Sequence, residues 1–185
     1  MDSQKLTITL QEPHVHLTKR MVWALFGEGA KLTPKAPADM PGKFLAQETV
    51  TVVGPAGEIE LSVLGPSAVK TQVELTPALA AQLGVAAKVE ASGEGSAGGV
   101  LLRGPAGEAA LSAGVLIPRP HIHMPPEDAS TLSLMDGQSV TLKTPDGRTL
   151  DHVLVRVSHL TANRIHILKE EGTPFTGEDT FSLAN

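Results

Sequence analysis

Short runs of Val, Ile, Leu and Thr, separated by Gly- and Pro-containing turns, recur along the chain and constrain its fold more than any other feature. Such runs, with turn signals every ~8–12 residues, predict the short strands of an all-β barrel or sandwich. The chain has 185 residues, of which 41% are hydrophobic, enough for one large or two small packed domains. The runs are KLTITL, TVTVV, EIELSVLG, GVLLR, AALSAGVLI, SVTLKT, LDHVLVRVS, RIHIL and DTFSLAN.

Three segments carry helix signals instead. Thr18 precedes a segment that ends at Gly27, and Thr76 precedes Pro77 in a second segment that ends at Gly84. Thr before the first turn, Pro at the first helical position and Gly beyond the last turn are typical of helix ends. The segment PPEDASTLSLMDG begins in a similar way. We therefore expect three short helices between the strands.

Two motifs occur twice in the chain. GPAGEIELS at 54–62 returns as GPAGEAALS at 104–112, and PHVHL at 13–17 returns as PHIHM at 120–124. Gly-Pro-x-Gly between strands is a hairpin signal, so its recurrence is explained either by common turn chemistry or by two equivalent halves. The repeated His-x-His favours the second interpretation. Two halves that each offer a pair to a shared cleft would make one site with four imidazoles.

The two His-x-His motifs are candidate metal or anion sites, because side chains at i and i+2 of a strand point to the same face. The chain has no cysteine, so a metal must be held by His, Asp or Glu. Neutral imidazoles suit Zn, Cu, Ni or Fe(II). His152 and His159 have no partner pattern and are expected at the surface. The four candidate ligands are His14, His16, His121 and His123.

Composition excludes several other functions. A formal net charge of −5 and 3% aromatic residues argue against a nucleic-acid surface. There is no P-loop, no dinucleotide-binding glycine motif and no nucleophile elbow, so chemistry here would be metal-assisted without a covalent enzyme intermediate, or absent. No run approaches the ~20 apolar residues of a membrane helix, and the N-terminus lacks the features of a signal peptide. A cytoplasmic protein is expected.

Two segments lack a clear pattern. Residues 27–47, rich in Gly and Pro, are expected to form an inserted loop or lid, since long loops in compact domains are often functional. The segment ASGEGSAGG at 91–99 is expected to be a flexible, solvated connection.

Several motifs, in the same order, resemble the phosphate propanoyltransferase family, the propanediol-utilisation type of phosphotransacylase. They are PHVHLT, GPSAVKTQVELT, GVLIPRPHIHMPPEDA, MDGQSVTLKT and HVLVRVS, within a resemblance that runs from about residue 6 to 167. The resemblance implies a mainly β fold of two intertwined six-stranded β-barrels, with a pseudo-twofold repeat, a few short helices and a metal site in the cleft between them. One barrel would take residues 1–12 and 121–185, and the other would take 13–120, interrupted at about 27–47.

The resemblance also implies two zinc ions. From the residues alone, we would expect Glu74 to be a solvent-facing strand residue and His166 to be a core histidine. The resemblance instead matches both residues to metal ligands of the family. One zinc would be held by His14, His16 and Glu74, and the other by His121, His123 and His166.

The implied reaction exchanges a short-chain acyl group between coenzyme A and inorganic phosphate. Acyl-CoA and phosphate are then the small-molecule partners, with neither nucleic acid nor membrane, and a homodimer is left open. Some family members carry an N-terminal extension that directs them into a bacterial microcompartment. Here the first strand is expected almost at Met1, which leaves no room for one and agrees with a cytoplasmic location.

Three arginines typical of the family are missing. Ala68 stands where the family's GPxR motif has a phosphate-binding Arg, and Pro13 and Pro120 stand where Arg precedes each His pair. An Arg clamp on phosphate combines charge with bidentate geometry. Its loss points to altered chemistry. The sequence HILKEEGT also departs from the family pattern after the last ligand.

Three cations are candidate replacements for the missing clamp. Lys70 lies two residues from Ala68, and Arg164 lies two residues before His166, so each would share a face with that neighbour in a strand. Arg119 lies one residue from the family position and would point to the opposite face unless Pro120 introduces a bulge.

Three functions are compatible with these features. The first is a zinc-dependent phosphate acyltransferase acting on short-chain acyl-CoA. The second is a metal-dependent hydrolase of a thioester or another acyl compound, favoured by the loss of the phosphate clamp. The third is a catalytically silent metal-binding module on the same scaffold.

Overall fold

The structure is a computed structural model that describes residues 6–159, 163–170 and 172–184. The chain divides into two compact units, each with its own core. The first unit takes Met1–Glu12 and Arg119–Asn185, and the second takes Pro13–Pro118. The second unit is therefore an insertion between two segments of the first.

The first unit is a closed barrel of six strands in the order β1, β14, β11, β13, β12, β15. β1 lies between strands from the far end of the sequence, parallel to β14 and antiparallel to β15. One short helix, α3, follows β11. The elements are β1 (Leu6–Gln11), β11 (His121–Met124), α3 (Pro126–Thr131), β12 (Ser139–Lys143), β13 (Thr149–Val157), β14 (Arg164–Leu168) and β15 (Thr180–Leu183).

Alternation along β11 separates the barrel core from the histidine face. Ile122 and Met124 are fully buried in the apolar core, beside Val155 and Ile165 of the neighbouring strands. Successive side chains of a strand point to opposite faces. His121 and His123 therefore share the other face, held in place by the burial of their neighbours.

Arg148 fastens the segment before β15 to the β12–β13 turn. Its guanidinium donates to both carboxylate oxygens of Asp179, at 2.6 and 3.1 Å, and to Asp146 at 2.8 Å, and it also donates to the carbonyl oxygen of Pro174. Hydrogen bonding to Arg148 lowers the pKa of Asp179. The network helps to close the barrel between β12 and β15.

The second unit is built on a nine-stranded sheet in the order β7, β10, β6, β2, β5, β4, β8, β9, with β3 paired to β4 at the side. Two helices accompany it. The elements are β2 (His14–His16), α1 (Lys19–Phe26), β3 (Pro34–Pro37), β4 (Phe44–Val53), β5 (Glu58–Gly65), β6 (Gln72–Glu74), α2 (Pro77–Leu83), β7 (Val89–Glu90), β8 (Val100–Gly104), β9 (Gly107–Leu111) and β10 (Val115–Pro118).

The prediction of a mainly β chain with a few short helices is confirmed. Thr18 and Thr76 cap α1 and α2, their hydroxyls accepting from the backbone N–H groups of Met21 and Leu79. The second unit has nine strands rather than the six of the implied barrel. Part of the segment 27–47 is also strand and not loop, since β3 and the start of β4 pair there. Within the described ranges, no helix has both the length and the apolar character needed to cross a membrane.

The two Gly-Pro-Ala-Gly motifs perform the same structural task. Each forms a hairpin turn, between β4 and β5 and between β8 and β9, and each packs against the end of a helix. The backbone N–H of Ala56 donates to the carbonyl of Leu83 at 3.1 Å, and that of Ala106 donates to the carbonyl of Leu25 at 2.9 Å. These bonds satisfy carbonyl groups left open at the C-terminal ends of α2 and α1. Both motifs lie in the second unit, so they do not mark one half of the chain each.

We expect Gly54→Ala to lower the free energy of unfolding by about 1–3 kcal/mol, because overpacking shifts the backbone. A Cβ at Gly54 would overlap the carbonyl oxygen of Leu83 and lie 2.9 Å from its Cβ. Urea denaturation followed by circular dichroism measures the change. Gly177→Ala is the matched control, since a Cβ there meets nothing within 4 Å. Equal free energies of unfolding for the two variants would show that the turn shifts to accommodate the added Cβ without losing stability.

Candidate functional site

Both His-x-His motifs lie on short strands with the same kinds of neighbours. β2 is parallel to β5 and antiparallel to β6, and β11 is parallel to β13 and antiparallel to β14. In the antiparallel pairs, His14 is in register with Glu74, and His121 is in register with His166. Directly opposed side chains share a face, with Cβ atoms about 4.5–5.5 Å apart. Strand pairing therefore supplies each His pair with a third side chain.

The first group, His14, His16 and Glu74, lies wholly in the second unit. Nε2 of His14 lies 3.2 Å from Nε2 of His16 and 3.4 Å from Oε2 of Glu74, and Nε2 of His16 lies 3.7 Å from Oε1 of Glu74. Bonds of about 2.0–2.1 Å in a tetrahedral arrangement place ligand atoms about 3.3 Å apart. The three side chains therefore fit a zinc-sized ion. His14 and Glu74 are 4% and 2% exposed.

The second group, His121, His123 and His166, lies wholly in the first unit. The ring centroids lie 4.9 to 5.4 Å apart, and in each group the candidate ligand atoms lie within 4.8 Å of one another. Nδ1 of His121 is 3.0 Å from the carbonyl oxygen of Arg119. This contact places the proton on Nδ1, because only a donor satisfies a carbonyl, and leaves the lone pair of Nε2 for an ion.

Burial keeps one imidazole in each group neutral. It lowers the pKa of His16 to about 4, with His14 adding to the effect, and it lowers the pKa of His123 to about 4, with His121 and Arg156 adding to it. Neutral imidazole is the form that binds metal ions. The imidazoles of His16 and His123 are therefore in the metal-binding form at neutral pH.

Comparison with known proteins shows the family of the chain. A model of the phosphate propanoyltransferase family matches residues 7–177. The chain belongs to the phosphate propanoyltransferase family. It is 38% identical over 179 residues to the phosphate propanoyltransferase of Rhodobacter capsulatus, covering 94% of this chain and 83% of the relative.

Two further relatives carry the same name. The phosphate propanoyltransferase of Leptotrichia buccalis is 43% identical over 159 residues, which cover 83% of this chain and 75% of the relative. That of Thermotoga maritima is 40% identical over 172 residues, which cover 90% and 81%. The resemblance seen in the sequence is therefore confirmed, and with it the prediction of an enzyme of the acyltransferase class.

The three cations named as candidate replacements for a phosphate-binding arginine lie in different surroundings. Arg164 is in register with His123 on β14, so it lies on the ligand face, with Nη1 3.4 Å from Oγ1 of Thr9. Arg119 donates to the carbonyl of His152 at 2.7 Å and to Oγ of Ser139 at 2.6 Å. Among these three, Arg164 is the one that sheet pairing brings beside a histidine.

Lys70 is held by the segment after β7. Its Nζ donates to the carbonyl of Gly93 at 2.9 Å. Ala68, which the resemblance matches to an arginine, pairs through its backbone, its N–H donating to the carbonyl of Leu17 at 2.7 Å. Lys70 thus has a structural contact that its place in the sequence did not indicate.

Sequence reasoning missed several polar residues at the two groups. Arg156 is in register with His123 on β13, and Lys43 lies near enough to His16 to lower its pKa. Both residues lie within or next to a strand, where a single Arg or Lys does not by itself indicate a functional site. Ser92, in the segment predicted to be a solvated connection, donates to Glu74. That contact had no signal in the sequence.

Proposed function

We propose that the chain is a zinc-dependent phosphate acyltransferase that exchanges a short-chain acyl group between coenzyme A and inorganic phosphate. The observation that carries this proposal is the pair of three-ligand groups, built at equivalent strand positions in a member of this family. The names of the relatives support propanoyl as the acyl group.

Each group of proposed ligands would hold one zinc ion. Divalent zinc bound to them would act as a Lewis acid toward a carbonyl or phosphate oxygen and as a template for the two substrates. His14, His16 and Glu74 would hold one ion and His121, His123 and His166 the other. The first set brings one negative charge and the second brings none, so the two metal centres, each an ion with its ligands, would differ in net charge.

The reaction needs no nucleophile from the protein. A phosphate oxygen attacks the carbonyl carbon of the thioester, the bond between that carbon and sulfur breaks, and coenzyme A leaves as the thiolate with the electron pair. The product is the acyl phosphate. The absence of cysteine from the chain is compatible with this direct transfer.

Binding of phosphate is proposed to rest on the cations beside His123. Arg156 and Arg164 lie on the strands at either side of it, in register with it. Guanidinium groups bind phosphate oxygens with both charge and directional hydrogen bonds. The two arginines would together supply the function of the arginine that Ala68 replaces.

A second candidate is a hydrolase, in which water replaces phosphate as the nucleophile. It is favoured by Ala68, which the resemblance matches to a phosphate-binding arginine and whose backbone pairs with Thr18, close to β2. Lys70, which lies close to Ala68 in the sequence, is bonded to Gly93. A silent metal-binding module remains the third possibility. The cytoplasmic location expected from the sequence stays a prediction.

The test is release of free thiol from acetyl-CoA and propanoyl-CoA by the zinc-loaded protein, with and without phosphate. We expect release that requires phosphate and yields one acyl phosphate per thiol. Equal release without phosphate would establish the hydrolase. Bound zinc with no release from any acyl-CoA would establish the silent module.

A further inference from the structure

We propose that Ser92 is a positioning residue that orients the carboxylate of Glu74 for metal binding. The inference rests on the metal-binding part of the proposed function. Ser92 follows β7 in the Gly- and Ser-rich segment 91–99, far from Glu74 in sequence and outside every motif that indicated the site.

The contact between the two side chains is short and directional. Oγ of Ser92 donates to Oε1 of Glu74 at 2.6 Å. This is the length typical of a charge-assisted bond from a hydroxyl to a carboxylate. Oε2, the other oxygen, lies 3.4 Å from Nε2 of His14. Oε1 also lies 3.7 Å from Nε2 of His16, so the hydroxyl holds the carboxylate with Oε2 toward His14 and Oε1 between Ser92 and His16.

The backbone around Ser92 is fixed by residues from the β6 segment. The N–H of Gly93 donates to Oε1 of Gln72, and Nζ of Lys70 donates to the carbonyl of Gly93 at 2.9 Å. Lys70, Gln72 and Glu74 thus all reach the two residues Ser92 and Gly93. Gln72 is also in register with His16, as Glu74 is with His14.

This arrangement has a consequence for coordination. A hydrogen bond to Oε1 restrains rotation of the carboxylate and weakens Oε1 as a ligand, which favours binding of the ion through Oε2. Three protein ligands with a fourth position open are the pattern of catalytic zinc sites. Ser92 would thereby keep a position free for substrate. Outer hydrogen-bond partners of this kind typically contribute 10–100-fold to metal affinity.

The experiment measures metal binding directly. The variant Ser92→Ala is titrated with Zn²⁺ against a chromophoric chelator, and its Co²⁺ form is examined by visible absorption. We expect one of the two bound ions to lose about 10–100-fold in affinity and its Co²⁺ bands to change in intensity. The ion at His121, His123 and His166 is the internal reference. Ser92→Thr keeps a hydroxyl and should restore both properties.

Ser96→Ala is the matched control. Ser96 belongs to the same segment, is exposed, and hydrogen-bonds to Glu90 rather than to Glu74, its backbone N–H donating to Glu90 at 2.9 Å. Its hydroxyl has no part in the proposal, so wild-type affinity is expected. Circular dichroism of each variant checks that the fold is retained.

Three results with the variants would overturn the proposal. They are wild-type affinity and spectrum in Ser92→Ala, equal losses in Ser96→Ala and Ser92→Ala, and failure of Ser92→Thr to recover. A wild-type protein that binds no ion at Glu74 would do so as well. Acyl transfer is not the readout, so a protein that binds two ions without releasing thiol would refute the enzymatic proposal and leave this one standing.

Discussion

His123→Ala is expected to lower phosphate-dependent thiol release from propanoyl-CoA by at least about 10²-fold, because an ion's stabilisation of developing charge contributes several kcal/mol. His123 is partly exposed on β11, and its side chain is one of three whose candidate ligand atoms lie within 4.8 Å of one another. Removing it deletes a ligand while leaving the barrel core, formed on the opposite face, in place. The initial rate of thiol release measures the effect.

His159→Ala is the control for this substitution. His159 is exposed and follows β13 outside both ligand groups, so an unchanged rate is expected. Bound zinc in His123→Ala should fall from two ions per chain toward one. A His123→Ala protein with the wild-type rate would remove the second group from the reaction and leave His14, His16 and Glu74 as the proposed centre.

Removal of metal is expected to reduce the activity by a similarly large factor. Dialysis against a strong chelator should bring thiol release close to the rate without enzyme, and the melting temperature should fall, since ligands that bind only the folded state stabilise it. Zn²⁺ should restore the rate, with full recovery only after the second equivalent per chain.

Mg²⁺ is the control in the same experiment. Each group contains at least two imidazoles, which suit borderline metals, whereas Mg²⁺ prefers oxygen ligands. We therefore expect no recovery with Mg²⁺. Activity that survives complete removal of metal, verified by elemental analysis, would contradict the metal-dependent mechanism.

The features that the sequence could predict are those recognised from a few neighbouring residues. A His-x-His motif in a strand places two imidazoles on one face whatever the rest of the fold. Thr18 and Thr76 likewise indicate the starts of the helices that they cap. The third ligands, Glu74 and His166, depend on which strands pair and in what register. Neither residue has a local pattern, and only the family resemblance indicated them.

Other features lay beyond the sequence for a different reason. β3 is a short, exposed, Pro-containing strand, and Pro lowers the expectation of a strand. Ser92 stands in a segment whose composition is typical of a solvated connection. Its contact with Glu74 depends on a backbone position fixed by Gln72 and Lys70, and composition does not encode such long-range geometry.

The position of β1 sets an order for folding during synthesis. Thr7 pairs with Arg164 and with Thr180, so the barrel cannot close until the last strands have left the ribosome, while Pro13–Pro118 is contiguous and can fold earlier. In the nascent chain, His14, His16 and Glu74 would then come together first, before β1 has paired with β14 and β15. The group at His121, His123 and His166 would form only when the barrel closes. A stalled or truncated chain would carry the first metal-binding group without the second.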